Sequence, residues 1–270
     1  MQFLRKASNT AKQVVSNIGE DLKQLGVLLY RLEAGMREKI FVANGHEALL
    51  VLLDGTINFH MDGLHIDISR DNVFEALPEA VFLPMGKYWE MNIEVHRSAR
   101  FVVCEASPSF ASKYTTDLRP YQIRKSDIEC FERGSGQFQR LVRNITTDKV
   151  PTASLICGET LNPPGNWSSY PPHKHDTSIP DIESAHEEIY VFSVSPNGGW
   201  GHQEIYSPER NLYDIYRVEQ DDSVLIPFGY HPVAAAPGYN LHYFWVLAGN
   251  TRKLMMHDDP SHAWIHSLAK

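Results

Sequence analysis

The chain has 270 residues, 43% of them hydrophobic and 21% charged. That is enough for one large β domain or two medium ones with a buried core, and it excludes a disordered chain. A net charge of −8, with no visible basic patch, excludes the usual electrostatic footprint of a nucleic-acid binder.

The opening MQFLRKASNTAKQ lacks the apolar centre of a secretion signal. No run approaches the roughly 18 apolar residues of a membrane helix. Cys104, Cys130 and Cys157 are odd in number and widely spaced, which fits a reducing compartment better than a disulfide framework. A cytoplasmic protein with no nucleic-acid and no membrane partner is expected; homo-oligomerisation is left open.

In chain order, the first periodic stretch is AKQVVSNIGEDLKQLG, the one candidate helix, weakened by Gly19. Thereafter short apolar runs alternate with Gly, Pro, Asn and Asp: ALLVLLDG, VFLPMG, FVVCEASP, IYVFSVSPNGG, SVLIPFG and YFWVLAGN. Such spacing predicts an all-β sandwich or barrel. Two of the runs recur in the same order. GHEALLVLLDG from Gly45 is echoed by AHEEIYVFSVSPNGG from Ala185, and EAVFLPMGKYW, ending at Trp89, by DSVLIPFGYHP, ending at Pro232. The repeat predicts a duplicated barrel. The expected domains are 1–143, including a polar, turn-rich linker over about 108–143, and 144–270.

The second copy carries the chemistry. In WSSYPPHKHD, from Trp167, His173 and His175 are two apart, so on a strand both imidazoles face one side. One of Glu187 and Glu188 at the start of EEIYVF supplies a carboxylate to the same interior. His231 follows the turn Pro227-Phe228-Gly229-Tyr230. Three imidazoles and one carboxylate suit one divalent metal ion per chain, with Zn, Mn and Fe all acceptable. Nine of the thirteen histidines lie at or beyond position 173. The first copy keeps Glu47 and Pro84-Met85-Gly86 but has no H-x-H before Glu47 and has Tyr88 where the turn would place a histidine. It is expected to be scaffold or a partner surface.

Three strings, GNWSSYPPHKHD from Gly165, LIPFGYHPVAAAPGYNLHYFWVLAG from Leu225 and DDPSHAWI from Asp258, resemble the 5-deoxy-glucuronate isomerases of myo-inositol catabolism. Weaker matches are YRLEAG at Tyr30, EALLVLLDG at Glu47, AVFLPMG at Ala80 and RGSG at Arg133. The resemblance implies a bicupin, two tandem cupin (double-stranded β-helix, jelly-roll) barrels in one chain. It also implies an aldose–ketose isomerase acting on a sugar acid, 5-deoxy-D-glucuronate. Aligning a related isomerase family's Glu-Val-Tyr strand with Glu188-Ile189-Tyr190 favours Glu188 as the ligand, giving the set His173, His175, Glu188 and His231. Tyr190 and Tyr243 are candidate catalytic residues. Arg133 and Arg140, near Arg143 and the turn before the second barrel, suit a carboxylate, with Gln203 as a further substrate contact. A metal-dependent cupin dioxygenase and a non-catalytic sugar-acid-binding cupin are the competing readings.

Overall fold

The computed structural model describes residues 2–61, 63–107, 119–147, 149–150 and 152–268. Its regular elements are β-strands and short 3-10 turns. No helix among the described residues is long and apolar enough to cross a membrane. The chain forms two compact units that interleave along the sequence. One comprises Met1–Ala7, Cys130–Asn144 and Cys157–Lys270; the other comprises Ser8–Glu129 and Ile145–Ile156.

In the unit built mainly from Ser8–Glu129, the strand Glu47–Met61 lies between Trp89–Ala106 and Ala80–Leu83. Its first half, Glu47–Leu53, is apolar after the glutamate because both faces are covered. Asp54-Gly55, which reads as a turn in the sequence, is instead a register shift within a continuing strand. Gly55 has φ +105°, and a Cβ there would lie 2.4 Å from the Ala99 Cα, so the close crossing of the two strands requires glycine. The interior is apolar throughout: Tyr30 stacks on Phe101 at 4.8 Å among Leu50, Phe59, Met91 and Ile93. Each such side chain contributes about 1.5–3 kcal/mol by burial.

The expected helix over residues 11–26 is absent. Lys12–Ser16 and Leu25–Leu32 pair antiparallel, with Lys12 opposite Tyr30, and Gly19 takes φ +82° in the connection. Pairing of Leu25–Leu32 with Trp89–Ala106 outweighs a modest helix propensity. Of the expected linker, 108–118 lies outside the described residues. The remainder contributes strands at Tyr121–Ile123 and Glu129–Arg133, each at the end of a sheet, and at Arg140–Asn144, one place in from an edge.

The other unit is a sandwich. Its seven-stranded sheet runs Leu4–Arg5, Ser223–Ile226, His186–Ser195, Asn240–Gly249, Ile156–Asn162, Arg140–Asn144, Glu129–Arg133. Its four-stranded sheet runs Trp167–Ser168, Val233–Ala235, Gly201–Ser207, Leu212–Val218. The core forms between them, with Phe192, Val224 and Leu241 from the first meeting Ile205, Val218 and Val233 from the second.

The repeat read from sequence reappears as register. Ala48 pairs with Leu83 and Val51 with Ala80 in one unit. Glu188 pairs with Ile226 and Val191 with Ser223 in the other. The superposed repeats therefore set Ala48, buried, at the place of Glu188, and Glu47 at the place of Glu187. The carboxylate of Glu47 serves a structural purpose: it accepts the backbone N–H groups of Ala153, Ser154 and Leu155 at 2.5–2.6 Å.

Candidate metal centre

Glu188 projects from the middle strand of the seven-stranded sheet toward the core, in phase with Tyr190 and Phe192. Glu187, one residue earlier, is half-buried on the opposite face. The short strand His173–Lys174 pairs with His257–Asp258 and delivers His175 to Glu188, Nε2 to Oε2 at 3.1 Å. His231 reaches the same oxygen, Nε2 to Oε2 at 3.3 Å. The ligand atoms of His175, Glu188 and His231 all lie within 4.8 Å of one another, and all three residues are buried. His173 stands beside them, its ring centroid 5.1 Å from that of His231 and 6.4 Å from that of His175.

The outer hydrogen bonds fix the tautomers. His231 Nδ1 donates to the Gly229 carbonyl at 2.8 Å, and His175 Nδ1 donates to the His186 carbonyl at 3.3 Å. His231 Nε2 is then left as a lone pair facing a carboxylate oxygen, whereas His175 Nε2 shares its hydrogen bond with Glu188. His231 Nε2 has no hydrogen-bond partner. Lone pairs and an anionic oxygen converging in a buried space are satisfied by a cation, so the residues present fit a divalent metal.

The titration behaviour agrees. Burial, with His175 and Arg140 nearby, brings His173 down to about 3. Burial likewise brings His231 to about 3, against the attraction of Glu188. Both are therefore neutral imidazoles, as ligands must be. Burial also opposes a proton on His175, but the hydrogen bond and charge of Glu188 outweigh it and raise its pKa.

A buried polar network holds the ligand segments in place. Lys174, which on a regular strand faces away from its histidine neighbours, is buried and donates to Asp176 at 2.7 Å and to both oxygens of Glu183 at 2.9–3.0 Å. Glu183 also accepts the backbone N–H groups of Asp176 and Thr177. Asp176 accepts the Gly229 N–H at 2.8 Å, tying the H-x-H segment to the turn that carries His231. Gly229 itself has φ +89°, and a Cβ there would lie 2.7 Å from the Tyr206 carbonyl oxygen. Neither acidic residue stood out in the sequence, because each lies in an irregular stretch with no period.

A cavity of about 240 Å³ opens over the centre. Arg133, Arg140, His173, His175, Glu188, Tyr190 and Tyr243 all line it, together with Ser169, Trp245, Leu247 and Met256. The tyrosines stand 4.5 Å apart by ring centroid. Tyr190 shares a 3.0 Å hydrogen bond with Ser169 Oγ, and Tyr243 donates to Ser168 Oγ at 2.8 Å. Consecutive strand residues normally face opposite sides. Ser169 has φ +48°, and this left-handed turn lets neighbouring serines each meet one of the two tyrosines, a contact that alternation cannot reveal. Burial, and next the charge of Glu188, pushes Tyr190 well above its usual range. Burial also raises the pKa of Tyr243, so both hydroxyls keep their proton at neutral pH.

Arg140 is half-buried, and Nη1 donates to the carbonyls of Phe138 and Tyr170 at 3.1 and 3.3 Å. Arg133 lies at the exposed rim. Gln203 is placed elsewhere. It is fully buried, and its Nε2 donates to the carbonyls of Glu204 and His231, each at 2.9 Å, so it braces the strand after His231 instead of facing the cavity. Arg143 is also turned away, buried against Glu159, which lies 3.3 Å from His242 Nε2.

Comparison with known proteins agrees with this architecture. The KduI/IolB family matches residues 3–265. The 5-deoxy-glucuronate isomerase of Geobacillus kaustophilus (strain HTA426) is 37% identical, over 81% of this chain and 78% of its own. That of Listeria monocytogenes serotype 4b (strain CLIP80459) is 34% identical, over 98% of both chains. A solved IolB-like protein from Salmonella typhimurium LT2 superposes with a TM-score of 0.89 at 30% identity, over 98% of this chain and 100% of its own. A deletion mutant of Bacillus subtilis oxalate decarboxylase shares the fold alone, with a TM-score of 0.59 at 12% identity, over 87% of this chain and 71% of its own. The architecture is all-β and bicupin. By the extent of the family match and the identity to full-length relatives, the chain belongs to the KduI/IolB family.

Proposed function

We propose that this protein is a metal-dependent aldose–ketose isomerase that converts 5-deoxy-D-glucuronate to 5-dehydro-2-deoxy-D-gluconate in myo-inositol catabolism. The observation that carries the reading is the buried convergence of His175, Glu188 and His231 in a cavity that also holds cationic Arg140 and two protonated tyrosines. Its relatives are named for the same reaction.

His173, His175, Glu188 and His231 would hold the ion. When bound, a divalent metal supplies electrophilic polarisation of a carbonyl and charge stabilisation of an enediolate. The chain's own residues do the rest. Arg140, anchored through two carbonyls, keeps donors for the substrate carboxylate, and Arg133 attracts it at the rim. Tyr190, whose hydroxyl can accept from Ser169, is free to donate to a substrate oxygen and pass a proton, while Tyr243, which donates to Ser168, offers its oxygen as an acceptor for a substrate hydroxyl. Trp245, Leu247 and Met256 supply an apolar wall that limits water beside the carbon acid.

The test is an NMR time course of purified protein with 5-deoxy-D-glucuronate, with and without chelator. Loss of the aldose signal with growth of a ketose signal, abolished by chelator and restored by Zn²⁺, Mn²⁺ or Fe²⁺, is the expected result. Absence of turnover after all three reconstitutions would overturn the isomerase reading.

A further inference from the structure

A second cavity, of about 280 Å³, lies on the outer face of the four-stranded sheet, and the isomerisation has no use for it. Strand parity builds its floor. On Gly201–Ser207, Ile205 faces the core, which turns Glu204 and Tyr206 the other way. Tyr206 is opposite Tyr213 on the next strand, and the two rings lie parallel with centroids 6.2 Å apart. Trp167 and Tyr170, 5.5 Å apart by ring centroid, form a wall. The DDPSHAWI segment closes the far side. The Tyr206 hydroxyl donates to Asp259 Oδ2 at 2.6 Å, the Asp259 N–H donates to the Pro172 carbonyl at 2.8 Å, and His262 lines the cavity. The string thus serves both places: Asp258 pairs with the metal-site strand at His173, and Asp259 and His262 border this second cavity.

The chemistry of the lining selects a ligand class. Four aromatic rings line it, and the faces of such rings are electron-rich. Glu204 is half-buried, and its carboxylate has no hydrogen-bond or ion-pair partner among the described residues. Asp259, by contrast, is saturated by Tyr206 and the Ser261 N–H. No lysine or arginine lines the cavity. Burial raises the pKa of Glu204, with His262 exerting the smaller, opposite effect; a cation beside the carboxylate would reverse the shift. A neutral polyol could stack on the rings but would leave the charge of Glu204 uncompensated.

We infer that this cavity binds a small organic cation of the alkylammonium class, caged by Trp167, Tyr170, Tyr206 and Tyr213 and paired with Glu204. The strip 167–173 forms part of both cavities, with Ser169 and His173 lining the metal site and Trp167, Tyr170 and Pro172 lining this one. An occupant would therefore touch the segment that presents the metal ligands.

The probe is tetramethylammonium chloride, titrated into the full chain at constant ionic strength and followed by saturation-transfer NMR of its methyl signal, with sodium chloride as control. Saturable binding is expected, weakened about tenfold or more by Glu204→Gln and by Tyr213→Ala, and retained in the presence of chelator, which separates this site from the metal centre. Tyr213 is 62% exposed, so its truncation spares the fold. Absence of saturable binding, equal binding by both variants, or binding of sorbitol in place of the ammonium ion would overturn the assignment.

Discussion

His175 is the residue on which the metal reading turns. It is buried, yet its pKa lies above the ordinary 6.5 because Glu188 faces it. A metal must displace that proton. Below the raised pKa, metal and proton compete, so affinity is expected to climb with pH through neutrality and level off only above the range of an ordinary histidine. Zn²⁺ titrations at a series of pH values check this; affinity independent of pH across neutrality would contradict it. His175→Ala should lose metal and turnover together, with affinity falling by more than about a hundredfold, since even outer-sphere changes cost about 10–100-fold. Full metal occupancy in that variant, measured by elemental analysis, would remove the residue from the ligand set. The sequence made His173, His175 and His231 visible through spacing and turn chemistry, and strand parity reduced the acidic choice to one of two. It did not expose Gln203 as a brace, because an amide reads the same whether it faces a ligand or a carbonyl. Nor did it show Lys174 as buried, because its partners Asp176 and Glu183 lie on irregular backbone.

At the scale of the element, that irregular stretch from Asp176 to Ser184 works as a clamp. Glu183 receives Lys174 and two backbone N–H groups, so the H-x-H strand, only two residues long, is held from behind. Glu183→Gln keeps the shape but weakens the charge-assisted bonds. About a tenfold loss of metal affinity is expected with the cavity lining intact, read by metal titration alongside a circular dichroism spectrum. Glu47 plays a comparable part in the other unit. Glu47→Ala would leave the N–H groups of Ala153, Ser154 and Leu155 buried without their acceptor, and a loss of about 3 kcal/mol or more is expected, measured as a lower urea midpoint. Strands with strong alternation or wholly apolar runs were legible in the sequence. The error at residues 11–26 arose because helical periodicity over one stretch carries no information about the neighbouring strand that captures it.

At the scale of the whole molecule, the duplication was the most legible feature, since identical registers in the two units follow the paired strings. The difference between the copies was legible in part: the missing H-x-H and Tyr88 at the position of His231 stood in the sequence, whereas the register shows that Glu47 matches Glu187 and that Ala48 takes the place of Glu188. The first core is built of apolar side chains where the second opens into a cavity. The order in which segments are assigned to units was not legible, because composition marks a polar stretch without saying which sheet will recruit it. That assignment bears on synthesis. Leu4–Arg5 pairs with Ser223–Val224, while the stretch Ile145–Ile156 belongs with Ser8–Glu129. On the ribosome, Leu4 and Arg5 must wait, unpaired, for more than two hundred successors before their partner strand exists. The earlier unit cannot close until the chain has already begun the later one. A nascent polypeptide stalled near residue 130 is therefore expected to be more protease-sensitive than one stalled after residue 156 has cleared the exit tunnel, and neither unit can be excised as one unbroken fragment.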